Sequence, residues 1–137
     1  MAEYTANDDA TVTVSNSAWR PLQGWTNGKA AAVVADTGDA SLIVSFTGKT
    51  PDPSDKANYT VLDTDYETYS VVYSCGSALD LVSFDFLWIL AREKELDDAA
   101  MMSIVTKIED TLPNYHFWSN HQMTHQGRLC PYDSRPE

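Results

Sequence analysis

The first 92 residues alternate between short segments with the pattern of β-strands and short segments rich in turn-forming residues. The strand-like segments lie at residues 11–15, 29–35, 41–46, 59–62, 69–74 and 84–90. Groups of Asn, Asp, Gly, Pro and Ser separate them at intervals of about 8–12 residues. This spacing predicts an antiparallel meander, and therefore a sandwich or a barrel, with strands over residues 2–92.

Turns are predicted wherever Gly, Pro, Asn and Asp cluster, because these residues adopt the backbone angles of tight turns. The predicted turns lie at residues 7–9, 26–28, 37–39, 49–54, 65–67 and 76–77. Residues 23–28, with the sequence QGWTNG, are accordingly placed in a loop.

One amphipathic helix is predicted over residues 97–112. Asp97 or Asp98 can cap its N-terminus, and Pro113 ends it. Its apolar residues recur at helical spacing on one face only: Met101, Ile104, Val105, Ile108 and Leu112. The helix should therefore pack on the outside of the sheet. Residues 115–118 predict one more strand, within a C-terminal strand and tail at 114–137 of a single domain that spans 1–137.

The charge of the chain excludes several classes of partner. Its 137 residues include 9 Lys and Arg against 20 Asp and Glu, which gives a formal net charge of −11. A surface this acidic repels phosphate backbones and anionic lipid, so nucleic acid is not an expected partner. No apolar run reaches the roughly 18 residues that predict a membrane span. The N-terminal MAEYTANDD has neither the basic nor the apolar region of a signal peptide.

No group of residues in the sequence predicts catalysis or metal binding. The motifs of serine hydrolases, P-loop proteins and zinc proteases are absent. Cys75 has no His or basic residue nearby in sequence that would activate a thiolate. The spacing of His116, His121 and His125 fits no common zinc pattern. We therefore expect a protein that is not an enzyme and has no metal site.

The segment FDFLWIL at 84–90 points instead to a binding cavity. Its aromatic residues share one face of a strand and its aliphatic residues the other, Phe84, Phe86 and Trp88 against Leu87 and Ile89. If the helix covers the aliphatic face, the aromatic face points into a barrel. Aromatic walls opposite the small residues of 29–35 favour a cavity, with a solidly packed core as the alternative. A second apolar wall is expected from residues that share a face of 41–46: Leu42, Val44 and Phe46.

Two segments carry a resemblance to a known family. The sequence TDYETYSVVYSC at 64–75, followed by DFLWILAR at 85–92 and an amphipathic helix, resembles the second half of a lipocalin. The Thr64-Asp65-Tyr66 turn and Arg92 match two of the three motif regions of the family. The subgroup that the chain resembles contains apolipoprotein D and the insect and crustacean bilin- and carotenoid-binding proteins. The resemblance extends from about Glu3 to Cys130.

The resemblance implies an all-β protein with one helix, an up-and-down barrel around a small hydrophobic ligand. A bilin or a carotenoid is one implied ligand, and a retinoid, a steroid or a fatty acid is another. In members of the subgroup a Tyr, an Asn and a Trp line the cavity, and these correspond to Tyr4, Asn16 and Trp88. The family also implies a secreted protein, for which Asn58-Tyr59-Thr60 would be a glycosylation sequon.

The chain also departs from the family pattern. The G-x-W motif of the first strand is absent, so the resemblance implies about seven strands, starting at the second strand of the barrel. The disulfide partners of Cys75 and Cys130 are absent with it, and a bridge between these two cysteines is not expected. Two strand edges would then lie open, which predicts a homo-oligomer or a partner chain that covers them. A ligand carrier and an interaction module without ligand are the two functions that the sequence leaves open.

Overall fold

A computed structural model describes residues 1–78, 82–124, 126 and 130–135, without the side chains of 77, 78 and 82–84. The chain forms two compact units, one of Met1–Asn58 with Gly127–Glu137 and one of Tyr59–Gln126. The strands of the described residues are β1 Ala2–Ala6, β2 Thr11–Arg20, β3 Gly24–Val34, β4 Ser41–Ser45, β5 Tyr59–Thr64, β6 Tyr69–Ala78 and β7 Val82–Ala91. The helices are α1 Asp98–Thr111 and α2 Phe117–Asn120, with a short 3-10 helix at Tyr132–Ser134.

The first unit is a meander of β1 to β4, in which each strand pairs antiparallel with the next. Small residues fill both of its apolar clusters. One cluster contains Val14, Ala30 and Ala32, and the other contains Val33, Ala35 and Ile43. Successive residues of a strand point to opposite faces. The members of the first cluster are even-numbered and those of the second are odd-numbered, so the two clusters lie on opposite faces of this sheet.

The second unit is a meander of β5, β6 and β7 with α1 packed against it. The apolar stripe of α1 forms a core with one face of the strands, and the buried members of this core are Val71, Leu87, Ile104, Val105, Ile108 and Phe117. Asp97 caps α1, since its carboxylate accepts a hydrogen bond of 2.8 Å from the N–H of Ala100. Leu112 ends the helix directly before Pro113. The predicted fold class, with its antiparallel strands in chain order and one main helix, is confirmed.

Two of the predicted turns are wrong, because strand pairing overrides the local preference of Gly and Asn. Residues 26–28 lie inside β3, where Gly28 pairs with Asn16, and the chain turns earlier, around Leu22. Most of the predicted loop at 23–28 is therefore strand. Residues 76–77 lie inside β6, where Gly76 pairs with Phe84. The connection between β6 and β7 falls at 79–81, outside the described residues.

The strand predicted at residues 115–118 is also wrong. The chain instead forms the single helical turn α2, in which the N–H of His121 donates to the carbonyl of Phe117 at 2.8 Å. The reason is burial, because Phe117 is completely buried in the core that α1 forms with the strands. Burial of Phe117 in this core thus holds the helical turn α2 in place.

Candidate functional site

One face of the first unit holds four of the residues predicted to bind ligand. Directly opposite residues of an antiparallel pair present their side chains on the same face. Tyr4 pairs with Val14, Asn16 pairs with Gly28, and Val44 pairs with Ala32. Following this register across the sheet, the predicted residues that share the face are Tyr4, Asn16, Leu42 and Val44.

The centre of this face is made of small residues that the sequence did not single out individually. Val14, Ala30 and Ala32 are buried there, with Val12 packed beside them, while Tyr4 and Asn16 are exposed. The alternation at residues 11–15 was the available signal for Val12 and Val14, since it places both on the apolar face of β2. Phe46 is not part of this ladder, because β4 ends at Ser45 and the Phe46 side chain is exposed.

The second unit presents an aromatic surface on β7. Phe86 and Trp88 lie on the same face, opposite Ser74 and Val72 of β6. Their rings stack with centroids 5.5 Å apart and an interplanar angle of 16°. Both rings remain accessible, with Phe86 52% and Trp88 41% exposed. The side chain of Phe84, the third aromatic residue predicted here, is outside the described part of the chain.

The two faces of β7 therefore differ sharply in burial. Leu87 points to the other face, where it is 8% exposed and belongs to the core beneath α1. The helix therefore covers the aliphatic face of this strand, which is the condition on which the cavity prediction depended. What remains on the opposite face is an accessible aromatic surface formed by Phe86 and Trp88.

The family-motif residues build a turn rather than a binding surface. Asp65 Oδ1 accepts hydrogen bonds from the N–H groups of Glu67, Thr68 and Tyr69 at 3.0, 2.8 and 3.0 Å. The Thr68 hydroxyl donates to Asp65 Oδ2, and this set of donors holds the pKa of Asp65 well below its usual range. Thr64 contributes as well, since its hydroxyl donates to the carbonyl of Tyr69 at 2.7 Å.

Arg92 ties the end of β7 to this turn. Its N–H donates to the carbonyl of Thr68 at 3.0 Å, and its guanidinium donates to the carbonyl of Tyr66 at 3.3 Å. Tyr66 has φ +65°, a left-handed conformation that is uncommon for a residue other than glycine. The guanidinium thus holds a carbonyl at the most constrained position of the turn.

A cluster of polar side chains that the sequence analysis missed joins α1 to the strands. Lys107 Nζ lies 2.7 Å from Asp63 Oδ2 and 2.9 Å from the Tyr69 hydroxyl, which donates to the same carboxylate at 2.6 Å. Hydrogen bonds to Asp63 raise the pKa of both Lys107 and Tyr69, whereas the Lys107 ammonium lowers the pKa of Asp63. Lys107 and Tyr69 hold their protons more tightly than usual, so the cluster stabilises the fold and supplies no base.

Among the described residues no group of three or more His, Cys, Asp or Glu side chains could hold a metal ion. Of the three histidines, His125 lies outside the described residues. Cys75 is exposed and Cys130 is half-buried, and the absence of a bridge between them stays a prediction. No helix in the described ranges has the length and apolar character needed to cross a membrane.

Comparison with known proteins identifies the family. A family model described as a lipocalin-like domain matches residues 1–118, which run through both units. The chain belongs to the lipocalin family. Apolipoprotein D from Macaca fascicularis is 39% identical over 99 residues, which are 70% of this lipocalin and 49% of that protein. Apolipoprotein D from Oryctolagus cuniculus is 33% identical over 113 residues, or 82% and 56% of the two chains.

Solved structures show the same fold. Lobster apocrustacyanin A1 superimposes with a TM-score of 0.74 at 21% sequence identity, over 98% of this lipocalin and 69% of that chain. The lipocalin spans about half the length of the curated relatives that it matches. The predicted lipocalin fold is therefore confirmed, whereas the roles of individual site residues stay predictions.

Proposed function

We propose that this lipocalin binds a small hydrophobic ligand and carries it without chemical change. The observation that carries the proposal is the stacked pair Phe86 and Trp88, which remains about half exposed while the opposite face of the same strand is buried under α1. Family membership supports the same function. Bilins, carotenoids, retinoids, steroids and fatty acids are the candidate ligand classes.

The exposed rings provide a driving force of useful size. An aromatic side chain offers about 150–250 Å² of surface, and burial is worth about 25 cal/mol per Å². Covering about half of one ring thus contributes about 2–3 kcal/mol, and two neighbouring rings give enough for micromolar binding once other contacts are added. A flat conjugated or fused-ring ligand makes the best use of two rings that lie nearly parallel.

The face of the first unit is the second surface that we propose for ligand binding. Its central residues, Val14, Ala30 and Ala32, are small and buried. Tyr4 and Asn16 add a hydroxyl and an amide on this face, and both are exposed. We propose that Tyr4 and Asn16 bind polar groups of a ligand on this face and that Leu42 and Val44 contribute apolar contacts there.

A fluorescence titration tests the proposal. Biliverdin, a carotenoid, retinol and a fatty-acid probe are each added to the folded protein while Trp emission is followed. We expect saturable quenching by at least one of them, and loss of most of that quenching in Trp88→Phe. Trp118→Phe is the matched control, because Trp118 is 63% exposed and belongs to α2 rather than to β7. Absence of saturable quenching by any probe would refute the proposal.

A second candidate function is an interaction module that holds no ligand. It is favoured by β7, which among the described residues pairs with β6 and with no other strand. A strand edge of this kind recruits other strands. Native mass spectrometry of purified protein separates the two functions, because it reports bound ligand and the number of copies together.

Secretion and glycosylation belong to the same proposal. We assign the protein an extracellular location on the basis of its family. Asn58 already bridges to β4, since its side-chain oxygen accepts from the N–H of Val44 at 2.9 Å and its amide nitrogen donates to the Val44 carbonyl at 3.0 Å. A glycan on Asn58 would replace one of the two hydrogens of this nitrogen, and the remaining N–H would have to keep the bond to β4. Glycosylation of Asn58 stays a prediction.

A further inference from the structure

The register of β7 fixes which of its backbone groups point away from the sheet. The N–H of Arg92 donates to the carbonyl of Thr68 at 3.0 Å, so this pair is one of the hydrogen-bonded pairs of the β6–β7 ladder. Hydrogen-bonded and non-hydrogen-bonded pairs alternate along an antiparallel ladder. The even-numbered residues of β7 therefore bond to β6, and the N–H and C=O groups of four residues point outward: Asp85, Leu87, Ile89 and Ala91.

The side chains along this edge are almost uncharged. From Phe86 to Ala91 no residue carries a charge, and Asp85 is the one acidic residue of β7. Natural edge strands are usually protected by Lys, Pro or inward-pointing charges. In a chain with a net charge of −11, a strand with a single charge is also the place where two copies approach with the least repulsion.

We propose that two copies of this lipocalin associate by antiparallel pairing of β7 with β7 of the second copy, with the two-fold axis at Trp88. This inference rests on the second candidate function and names its partner. In this register Leu87 pairs with Ile89 of the second copy, and Asp85 pairs with Ala91 of the second copy. Each outward N–H and C=O group then finds a partner on the other chain.

Charge selects this register over its neighbour. A shift of the pairing by two residues toward the C-terminal end would place Asp85 opposite Glu93 of the second copy, and like charges directly opposite one another are destabilising. With the axis at Trp88, Asp85 faces a small, exposed alanine and keeps its carboxylate in water. The two Trp88 rings become a non-hydrogen-bonded cross-strand pair, in which side chains approach most closely and aromatic pairs are favourable.

Light scattering on ligand-free protein at micromolar concentration gives the first test. We expect twice the mass of the chain, with dissociation on dilution. Ala91→Pro removes an outward N–H and costs no hydrogen bond within the chain, so it should weaken association at least tenfold. Ala91→Ser keeps the N–H and is the matched control. A stable monomer, or a dimer that Ala91→Pro leaves unchanged, overturns the proposal.

Disulfide cross-linking tests the position of the axis. In a Cys75→Ser background, Trp88→Cys should give a disulfide-linked dimer on mild oxidation, because a residue on the axis meets its own copy. Met102→Cys, at an exposed position of α1, should stay monomeric. Equal cross-linking of the two variants overturns the register. These association assays contain no ligand, so they are independent of the fluorescence titration. A protein that stays monomeric but shows saturable quenching of its Trp emission by an added ligand would refute dimerisation and leave the proposed ligand binding intact.

Discussion

The two units of this lipocalin differ in the size of the side chains that they bury. In the unit of β5 to β7, α1 contributes Ile104, Val105 and Ile108 to one core that also holds the fully buried Phe117. In the unit of β1 to β4, burial is divided between two clusters of Ala, Val and a single Ile on opposite faces of the sheet. The first arrangement excludes water with large side chains under a helix, and the second does so with smaller side chains on both faces of a sheet.

We infer from this difference that the two units contribute differently to stability and to the proposed ligand binding. Large buried side chains supply most of the hydrophobic free energy per residue, so the helix-covered core should dominate the stability of its unit. Small side chains supply less, and here they form the centre of the face that carries the predicted binding residues Tyr4 and Asn16. Truncation of a buried side chain to Ala in each unit can therefore test the comparison.

The largest effect is expected from Phe117→Ala. This ring is completely buried, and truncation of a buried Phe costs about 3–5 kcal/mol in the free energy of unfolding. Val14→Ala, in the cluster of the first unit, removes far fewer atoms and should cost much less. Urea denaturation measures both. Met102→Ala, at an exposed position of α1, is the control and should change stability by less than about 0.5 kcal/mol. Equal losses for Phe117→Ala and Val14→Ala would contradict the comparison.

A smaller loss is expected when α1 loses its cap. Asp97→Ala removes the acceptor for the N–H of Ala100 and should cost about 1 kcal/mol in the free energy of unfolding. Asp97→Asn keeps an acceptor oxygen and should restore most of that stability. Hydrogen exchange gives the local readout, with faster exchange in the first turn of α1 for Asp97→Ala alone. Unchanged exchange there would show that the cap does not hold the helix on its core.

The smallest effect concerns the pair that Lys107 forms with Asp63. Because the pKa of Asp63 is lowered in the folded state, its contribution to stability is complete above the unfolded value of about 3.9 and is lost as pH falls through the folded pKa. The parent protein should therefore lose more stability than Asp63→Asn between about pH 5 and pH 2. Glu109→Gln, which removes a carboxylate elsewhere on α1, should follow the parent profile. Parallel profiles for the parent and Asp63→Asn would contradict the assignment.

Local signals predicted the features whose cause is local. The cap at Asp97, the apolar stripe of α1 and the acidic turn at Asp65 are each determined within a few residues, and all three form as expected. The two faces of β7 were also readable, because strand alternation assigns Phe86 and Leu87 to opposite sides.

Features set by distant residues could not be predicted in this way. Gly28 and Gly76 have the sequence context of turns, but pairing with Asn16 and Phe84 holds them in strands. The sequence at 115–118 predicts a strand, because the core residues that bury Phe117 are remote in sequence and leave no local signal. Asp63 and Lys107 lie 44 residues apart, and no periodicity connects them. Tyr4 and Asn16 were found through family resemblance alone, since an exposed Tyr or Asn has no pattern of its own.

The turn at Asp65 has a consequence for how the chain folds. Its carboxylate accepts hydrogen bonds from three nearby residues, Glu67, Thr68 and Tyr69, so the turn can close before any other part of the chain is ordered. Hairpins with such short loops form in about 1–10 μs, far faster than pairings between distant segments. We therefore expect the β5–β6 hairpin to be the folding nucleus of its unit, with β7 and then α1 adding to it in chain order.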